Sequence, residues 1–307
     1  MTKVYIDGSA GTTGLRIHER LANRSDIELF VLPDEIRKDI KAREQALNEA
    51  DIAFLCLPDS AAIEAVSLVK NPNTAIIDTS TAHRTSEGWE FGFPELKGRR
   101  ERIKNSKRVA NPGCHASGFI AIVEPLVQEG FICKDINLSC VSLTGYSGGG
   151  KKMIAEYEQE SRDFLLDAPR MYGLTQQHKH LKEMVKICGL ENAPAFCPIV
   201  APYYSGMEVT VTLFKKDLKG TTEELKNIYK NYYTSGLVYY SDESEEGFIS
   251  ANAMSGRDDM MVSVYGNEDR VIVSARFDNL GKGASGSAIQ NMNLLIGQDE
   301  KTGLIVK

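Results

Sequence analysis

The chain has 307 residues, 42% of them hydrophobic and 25% charged, an ordinary globular mix long enough for about two domains. Its 36 Lys and Arg against 42 Asp and Glu leave a net charge of −6, which argues against a nucleic-acid partner; only the run 97–108 is basic, and it reads as a solvated face. No stretch approaches the roughly 18 apolar residues of a membrane span, so no membrane partner is expected.

The N-terminus enters a strand pattern at once, at Lys3–Asp7, so no signal or transit peptide is expected. A helical pattern follows over Thr12–Asn23, then a strand at Ile27–Leu32. Ala50–Pro58 is a near-continuous apolar run, as expected for a parallel strand covered on both faces. Ser60 is placed to cap a helix through Lys70. Ala75–Asp78 and Arg108–Asn111 read as further strands. Strands alternating with helices predict βαβ units and a Rossmann-type, doubly wound parallel sheet.

The pattern changes after about residue 135. Asn137–Thr144, Glu208–Phe214, Met260–Tyr265 and Val271–Phe277 are β-rich, and 208–214 alternates with nearly strict period two. This predicts an α+β domain with a mixed or antiparallel sheet, one face covered. Thr221 and Glu224 form a capping box for a helix to about Tyr233, and an apolar helix is expected over Ala288–Ile296.

Three motifs carry chemistry. Gly8, Gly11 and Gly14 lie directly after a strand and open a helix, so the turn Gly8-Ser9-Ala10-Gly11-Thr12-Thr13-Gly14 suits a dinucleotide pyrophosphate. About 20 residues on, Asp34 could bond a ribose hydroxyl, or Arg37 and Lys38 a 2′-phosphate; the sequence leaves NAD and NADP both open here. In the second motif, Asn111-Pro112-Gly113-Cys114, the cysteine sits where a strand gives way to a helix. A helix N-terminus favours thiolate, the reactive form. His115, its neighbour, reads as a bystander, and Cys56 and Cys140, inside apolar strands, read as structural. The third motif is His178-Lys179-His180-Leu181-Lys182-Glu183. A thiolate nucleophile needs an acid or base partner, and histidine is the usual one. No third and fourth ligand accompanies the two histidines, so no metal is expected.

Two loops complete the reading. Asp78–Arg84 follows a strand at the carboxyl edge of the sheet, where Arg84 could hold an anion. Thr144–Lys151, with Ser147 and Gly148, follows another strand and offers main-chain N–H groups to an anion or oxyanion. Six cysteines without short regular spacing suggest reduced thiols and a cytoplasmic protein.

In combination these segments resemble the shorter form of the N-acetyl-gamma-glutamyl-phosphate reductase family, in the semialdehyde dehydrogenase superfamily. The resemblance is carried by G-S-A-G-T-T-G (8–14), D-T-S-T-A-H-R (78–84), N-P-G-C-H-A-S (111–117), T-G-Y-S-G-G-G-K (144–151), H-K-H-L-K-E (178–183) and N-L-G-K-G-A-S-G-S-A-I-Q-N-M-N (279–293). It implies NADPH-dependent reduction of N-acetyl-L-glutamyl 5-phosphate to the 5-semialdehyde, with Cys114 as nucleophile and His178 as acid/base. It places substrate contacts at Arg84, Ser147, Gly148, His180 and Glu183. Cofactor contacts are implied at Gly8 to Gly14, Ser80, Asn279, Gly283 and Asn291. It also implies a cofactor domain of residues 1–115 with about 284–307, a catalytic and dimerisation domain of 116–283, and a homodimer or homotetramer. Longer relatives carry H-R-H-x-P-E and D-x-S-A-D-F-R, so no role carries over to Lys179 or His83.

The rival readings are an aspartate-semialdehyde dehydrogenase, whose cysteine segment runs N-x-N-C, and a reductase of carrier-bound aminoadipyl phosphate, which would want a basic rim. A non-catalytic NADP-binding sensor would be expected to have a broken cysteine or histidine segment, and both are intact.

Overall fold

The apolar runs of the first hundred residues become the inner strands of a parallel sheet. The computed structural model describes residues 1–307, and the chain divides into two units: Met1–Pro112 with Ala284–Leu304, and Gly113–Gly283 with Ile305–Lys307.

In the first unit, β1 (Thr2–Asp7), α1 (Thr12–Leu21), β2 (Ile27–Phe30), α2 (Ile40–Glu49), β3 (Ile52–Leu55), α3 (Asp59–Leu68), β4 (Ala75–Asp78), β5 (Glu90–Phe91), α4 (Arg99–Lys104) and β6 (Arg108–Ala110) follow in order. The sheet order is β2-β1-β3-β4-β6-β5, parallel throughout. Strands β3 and β4 are buried at every position, because both faces are covered. On β1, Val4 and Ile6 join a core with Ile17, Leu21, Ile103 and Met292, while Tyr5 joins another with Leu47, Ala62 and Ala65. The sheet is therefore wound on both sides, as the alternation predicts.

Two local expectations change. The apolar run 50–58 shortens to β3, because Pro58 already occupies the N-cap of α3. Ser60 consequently lies inside α3, and the neighbouring Asp59 accepts a hydrogen bond from the Thr81 N–H instead. The basic run 97–108 contains α4, whose Arg99 and Arg102 face Glu90 and whose Arg100 faces Glu300.

The second unit begins with α5 (Cys114–Gln128). It continues through β7 (Ser139–Gly145), α6 (Gly150–Glu158), β8 (Arg170–Met171), α7 (Leu181–Cys188), β9 (Ala195–Ala201), β10 (Met207–Phe214), α8 (Thr222–Tyr232), β11 (Val238–Tyr240), β12 (Met260–Gly266) and β13 (Arg270–Phe277). The sheet is mixed, in the order β11-β12-β13-β10-β7-β9-β8. On β10, Val209, Val211 and Leu213 point inward and are buried, while Thr212 and Phe214 are exposed. Helix α5 lies close against this inner face: a Cβ on Gly118 would come within 2.4 Å of a Val209 methyl. Tyr229 and Tyr233 of α8 and its end donate to the carbonyls of Ile122 and Ala121, tying α8 to α5. The capping box at Thr221 and Glu224 forms as expected.

The last helix, α9 (Gly286–Leu295), belongs to the first unit, where Ala288, Ile289 and Met292 enter the core with Ile17. The division falls at Pro112/Gly113 rather than after residue 115. The last three residues group with the second unit, where Asp258 and Asp259 accept the N–H groups of Ile305 and Lys307.

Candidate active site

In the first unit the glycine turn is built as a cradle of main chain. Gly8 has φ +85°, and a Cβ there would stand 2.3 Å from the Cys56 carbonyl oxygen. A Cβ on Gly14 would stand 2.5 Å from the Gly8 carbonyl oxygen, so helix and turn approach too closely for any side chain. Gly11 is the N-cap of α1 and supplies no side-chain cap, so the first-turn N–H groups and the helix dipole are offered to an anion. Beside the turn is a cavity of about 230 Å³ lined by Gly8, Ser9, Arg37, Lys38 and Arg43, among others. Arg43 is buried and bonded to Asp7 and Glu64. Asp34 is exposed and paired with Arg37 at 3.0 Å.

The loop after β4 is organised by Asp78, which accepts the N–H and hydroxyl of Ser80 and the His83 ring at 2.6 Å. His83 stacks on Trp89. Arg84 is buried and donates to the main-chain carbonyls of Asn111 and Thr79 at 2.9 and 3.0 Å, which fixes the loop to the end of β6. Asn291 is fully buried. It donates to the Gly92 carbonyl, and its own carbonyl oxygen is left without a partner. A group that presents an N–H to that oxygen would relieve the cost of its burial.

In the second unit, Cys114 is the first residue of α5, after an N-cap, Gly113, that supplies no side-chain cap. The helix is 15 residues long, so its positive end lies at the sulfur. The Gly113 N–H donates to Glu183 at 3.1 Å, and the other Glu183 oxygen lies 4.0 Å from His180. Glu183 is buried, and it joins Gly113, the residue before Cys114, to the histidine segment. His178 accepts the His180 main-chain N–H at Nδ1 (3.2 Å), which puts the hydrogen of the neutral ring on Nε2. The two rings are 4.7 Å apart. Tyr172 packs on His178, and burial, then a charge on Cys114, push its phenol above the usual range. Cys114 is thus brought to the segment that carries His178, His180 and Glu183, although it lies far from them in sequence. Cys140 and Cys188 are buried, and burial raises both thiols far from reactivity.

Ser147 and Asn279 are joined: the Asn279 amide donates to the Ser147 hydroxyl at 3.0 Å and accepts the Gly206 N–H at 2.9 Å. Both ends of that amide hold loops of the second unit in place. A Cβ on Gly148 would stand 3.3 Å from the Thr144 hydroxyl. Gly283 comes up against Cys114, since a Cβ there would lie 3.0 Å from the Cys114 Cβ.

His115 departs from the bystander reading. It is buried, bonded to Ser142 and Tyr172, and packed against the rings of both His178 and His180. Tyr172 and Phe196 were not singled out from sequence. One signal lies in the sequence: His115 stands at the start of a helix whose stretch Phe119–Val123 is wholly apolar, and a histidine on a helix buried all round must find polar partners.

Two family models match the chain: the semialdehyde dehydrogenase NAD binding domain over residues 3–106, and the semialdehyde dehydrogenase dimerisation domain over 114–279. The chain belongs to the semialdehyde dehydrogenase family. Solved structures with the same fold include aspartate semialdehyde dehydrogenase II of Vibrio cholerae (TM-score 0.72, 15% identity, 97% of this chain and 98% of that one). Another is the Francisella tularensis enzyme (TM-score 0.72, 16% identity, 96% and 100%). Much nearer in sequence are N-acetyl-gamma-glutamyl-phosphate reductase 2 of a Nostoc species, 42% identical over 98% of this chain and 99% of the relative, and the Brucella ovis reductase, 43% identical over 96% and 99%. Within the wider family, this chain groups with the N-acetyl-gamma-glutamyl-phosphate reductases. No helix is long and apolar enough to cross a membrane.

Proposed function

We propose that the chain reduces N-acetyl-L-glutamyl 5-phosphate to N-acetyl-L-glutamate 5-semialdehyde with NADPH, releasing phosphate, as a step of arginine biosynthesis. One observation carries the reading: Cys114 opens an uncapped helix in the same cluster as His178 and Glu183.

The parts fit the chemistry. Cys114 attacks the acyl carbonyl as thiolate, favoured by the α5 N-terminus. The carbon–oxygen bond to phosphate breaks and a thioester forms on sulfur, which divides one hard step into two. His178 offers its Nε2–H to the oxygen that gains charge, first on the departing phosphate and then on the carbonyl. The phosphate takes up one proton from solvent, the proton the overall reaction consumes. The bound nicotinamide supplies the hydride that reduces the thioester carbon. Collapse of the resulting thiohemiacetal alkoxide releases the aldehyde and returns the thiolate.

For the cofactor, residues 8–14 would cradle the pyrophosphate, with Ser80 at the neighbouring loop. Arg37 and Lys38 line the cavity beside Gly8 and would hold the 2′-phosphate; Asp34 is already paired with Arg37. The orphaned Asn291 oxygen suits the nicotinamide carboxamide. Asn279 and Gly283 would meet the cofactor from the side of Cys114; the Asn279 amide also ties its loop to Ser147, and the space beside Gly283 is too small for a side chain.

The reading includes a homodimer, in which the outer face of the second-unit sheet meets a second copy. Val141, Phe214 and Ile272 are exposed there, within the region matched by the dimerisation model. It also includes a cytoplasmic location, where Cys114 stays reduced. The test is phosphate-dependent reduction of NADP with the semialdehyde, in the parent and in Cys114→Ser. The parent should turn over and the variant should not; activity near the parent's in Cys114→Ser refutes the reading.

A further inference from the structure

We propose that His115 is a positioning residue for the reaction: its imidazole, bonded at both nitrogens, sets the Tyr172 hydroxyl and the His178 ring against Cys114. The inference rests on the function proposed above.

The ring is held on every side. Nδ1 lies 2.7 Å from the Ser142 hydroxyl of β7, and Nε2 lies 2.6 Å from the Tyr172 hydroxyl just after β8. His178 and His180 pack on it with centroids 5.7 Å away in each case, and Phe196 of β9 closes another side at 5.4 Å. The titratable groups that face it are thus Tyr172, His178 and His180, with Cys114 next to it in the chain and Glu183 behind His180. Burial, and then the proximity of His178, push His115 down to about 3, so it carries no charge at any working pH.

An uncharged imidazole has one donor and one acceptor. If Ser142 donates to Nδ1, then Nε2 donates to the Tyr172 oxygen, and the hydrogen of Tyr172 turns away from His115. If Nδ1 donates to Ser142, the Tyr172 hydrogen is held on His115 instead. The ring therefore governs where the Tyr172 hydrogen goes, and it does so one residue along α5 from Cys114. The same ring packs edge-on against His178, whose Nδ1 is fixed from the main chain. A phenyl ring would keep the packing and lose both hydrogen bonds, whereas an amide keeps a donor and an acceptor.

The test uses the full chain with His115→Phe, His115→Gln and Tyr172→Phe. Two readouts are taken: steady-state kcat and KM, and the pH profile of Cys114 alkylation by iodoacetamide, followed by peptide mass. His115→Phe should lower kcat about 10–100-fold at unchanged KM for NADPH and move the alkylation profile. His115→Gln should recover part of both, and Tyr172→Phe should reproduce the Phe effect. Parent-like kcat and profile in His115→Phe, or a Gln variant no better than Phe, overturn the proposal. If His115→Phe does not fold, Tyr172→Phe decides, and a parent-like result overturns it. A parent enzyme inactive on the acyl phosphate would defeat the proposed function, while the alkylation profiles would still judge His115.

Discussion

The two units build their sites in different ways. In the first, the glycine turn is contiguous, and it depends on absent side chains: Gly8 and Gly14 meet carbonyl oxygens at distances no Cβ could hold. In the second, the cluster is assembled from side chains of α5, the stretch before α7, α7 itself, β7, β9 and the chain after β8; His115, Ser142, His180, Glu183 and Phe196 are buried, and Cys114, Tyr172 and His178 partly so. A main-chain cradle tolerates change outside a few positions. A buried polar cluster does not, because each group left unpaired carries its full desolvation cost. The difference predicts where substitutions act on turnover and where they act on cofactor affinity.

His178→Asn should break the second site and spare the first. We expect turnover to fall by about 10²–10⁴ with the dissociation constant for NADPH unchanged, read by steady-state kinetics and fluorescence titration. Loss of cofactor binding would mean that the two sites are not separable in this way. The converse variant, Arg37→Ala with Lys38→Ala, should raise KM for NADPH about 10–100-fold, leave KM for NADH unchanged and leave turnover at saturation close to the parent's. An equal effect on both cofactors would remove the 2′-phosphate from that cavity.

Gly283→Ala sharpens the comparison, because it brings a main-chain type of constraint to the side-chain site. The new methyl would meet the Cys114 Cβ at 3.0 Å, so Cys114 must shift by a few tenths of an ångström. Turnover should fall about tenfold with little change in melting temperature. The smallest effect lies outside both sites. Thr221→Ala removes the N-cap of α8 and should cost about 1 kcal/mol without touching activity. The Thr221 N–H and hydroxyl hold the Glu224 carboxyl below its ordinary value. Its contribution is therefore present above about pH 4.5 and is lost as the pH falls through its lowered folded value. The gap in melting temperature between the parent and Glu224→Gln should close over that range.

The contrast also explains what could be read in advance. The turn at Gly8, the period-two strand β10 and the box at Thr221 are local patterns, visible without a fold. Helix α2 is mostly polar and has only Arg43, Ala46 and Leu47 buried, so hydrophobic spacing alone did not reveal it. Ser60 suggests a cap, but Pro58 fixes the helix start two residues earlier. Cys114 and His178 were legible as residue types at a strand end and in a histidine motif. That Glu183 meets the Gly113 N–H, and that His115 meets Ser142, Tyr172 and Phe196, depends on α5, α7, β7, β8 and β9 coming together, and no spacing in the sequence encodes that meeting.

The central claim is a covalent bond to one sulfur. The most direct measurement mixes the parent enzyme with N-acetylglutamyl phosphate in the absence of NADPH and determines the mass of the intact protein and of its peptides. An acyl group on the Cys114 peptide, discharged when NADPH is added, is the predicted result. An unmodified Cys114 peptide in an enzyme that nonetheless reduces the substrate would contradict the account.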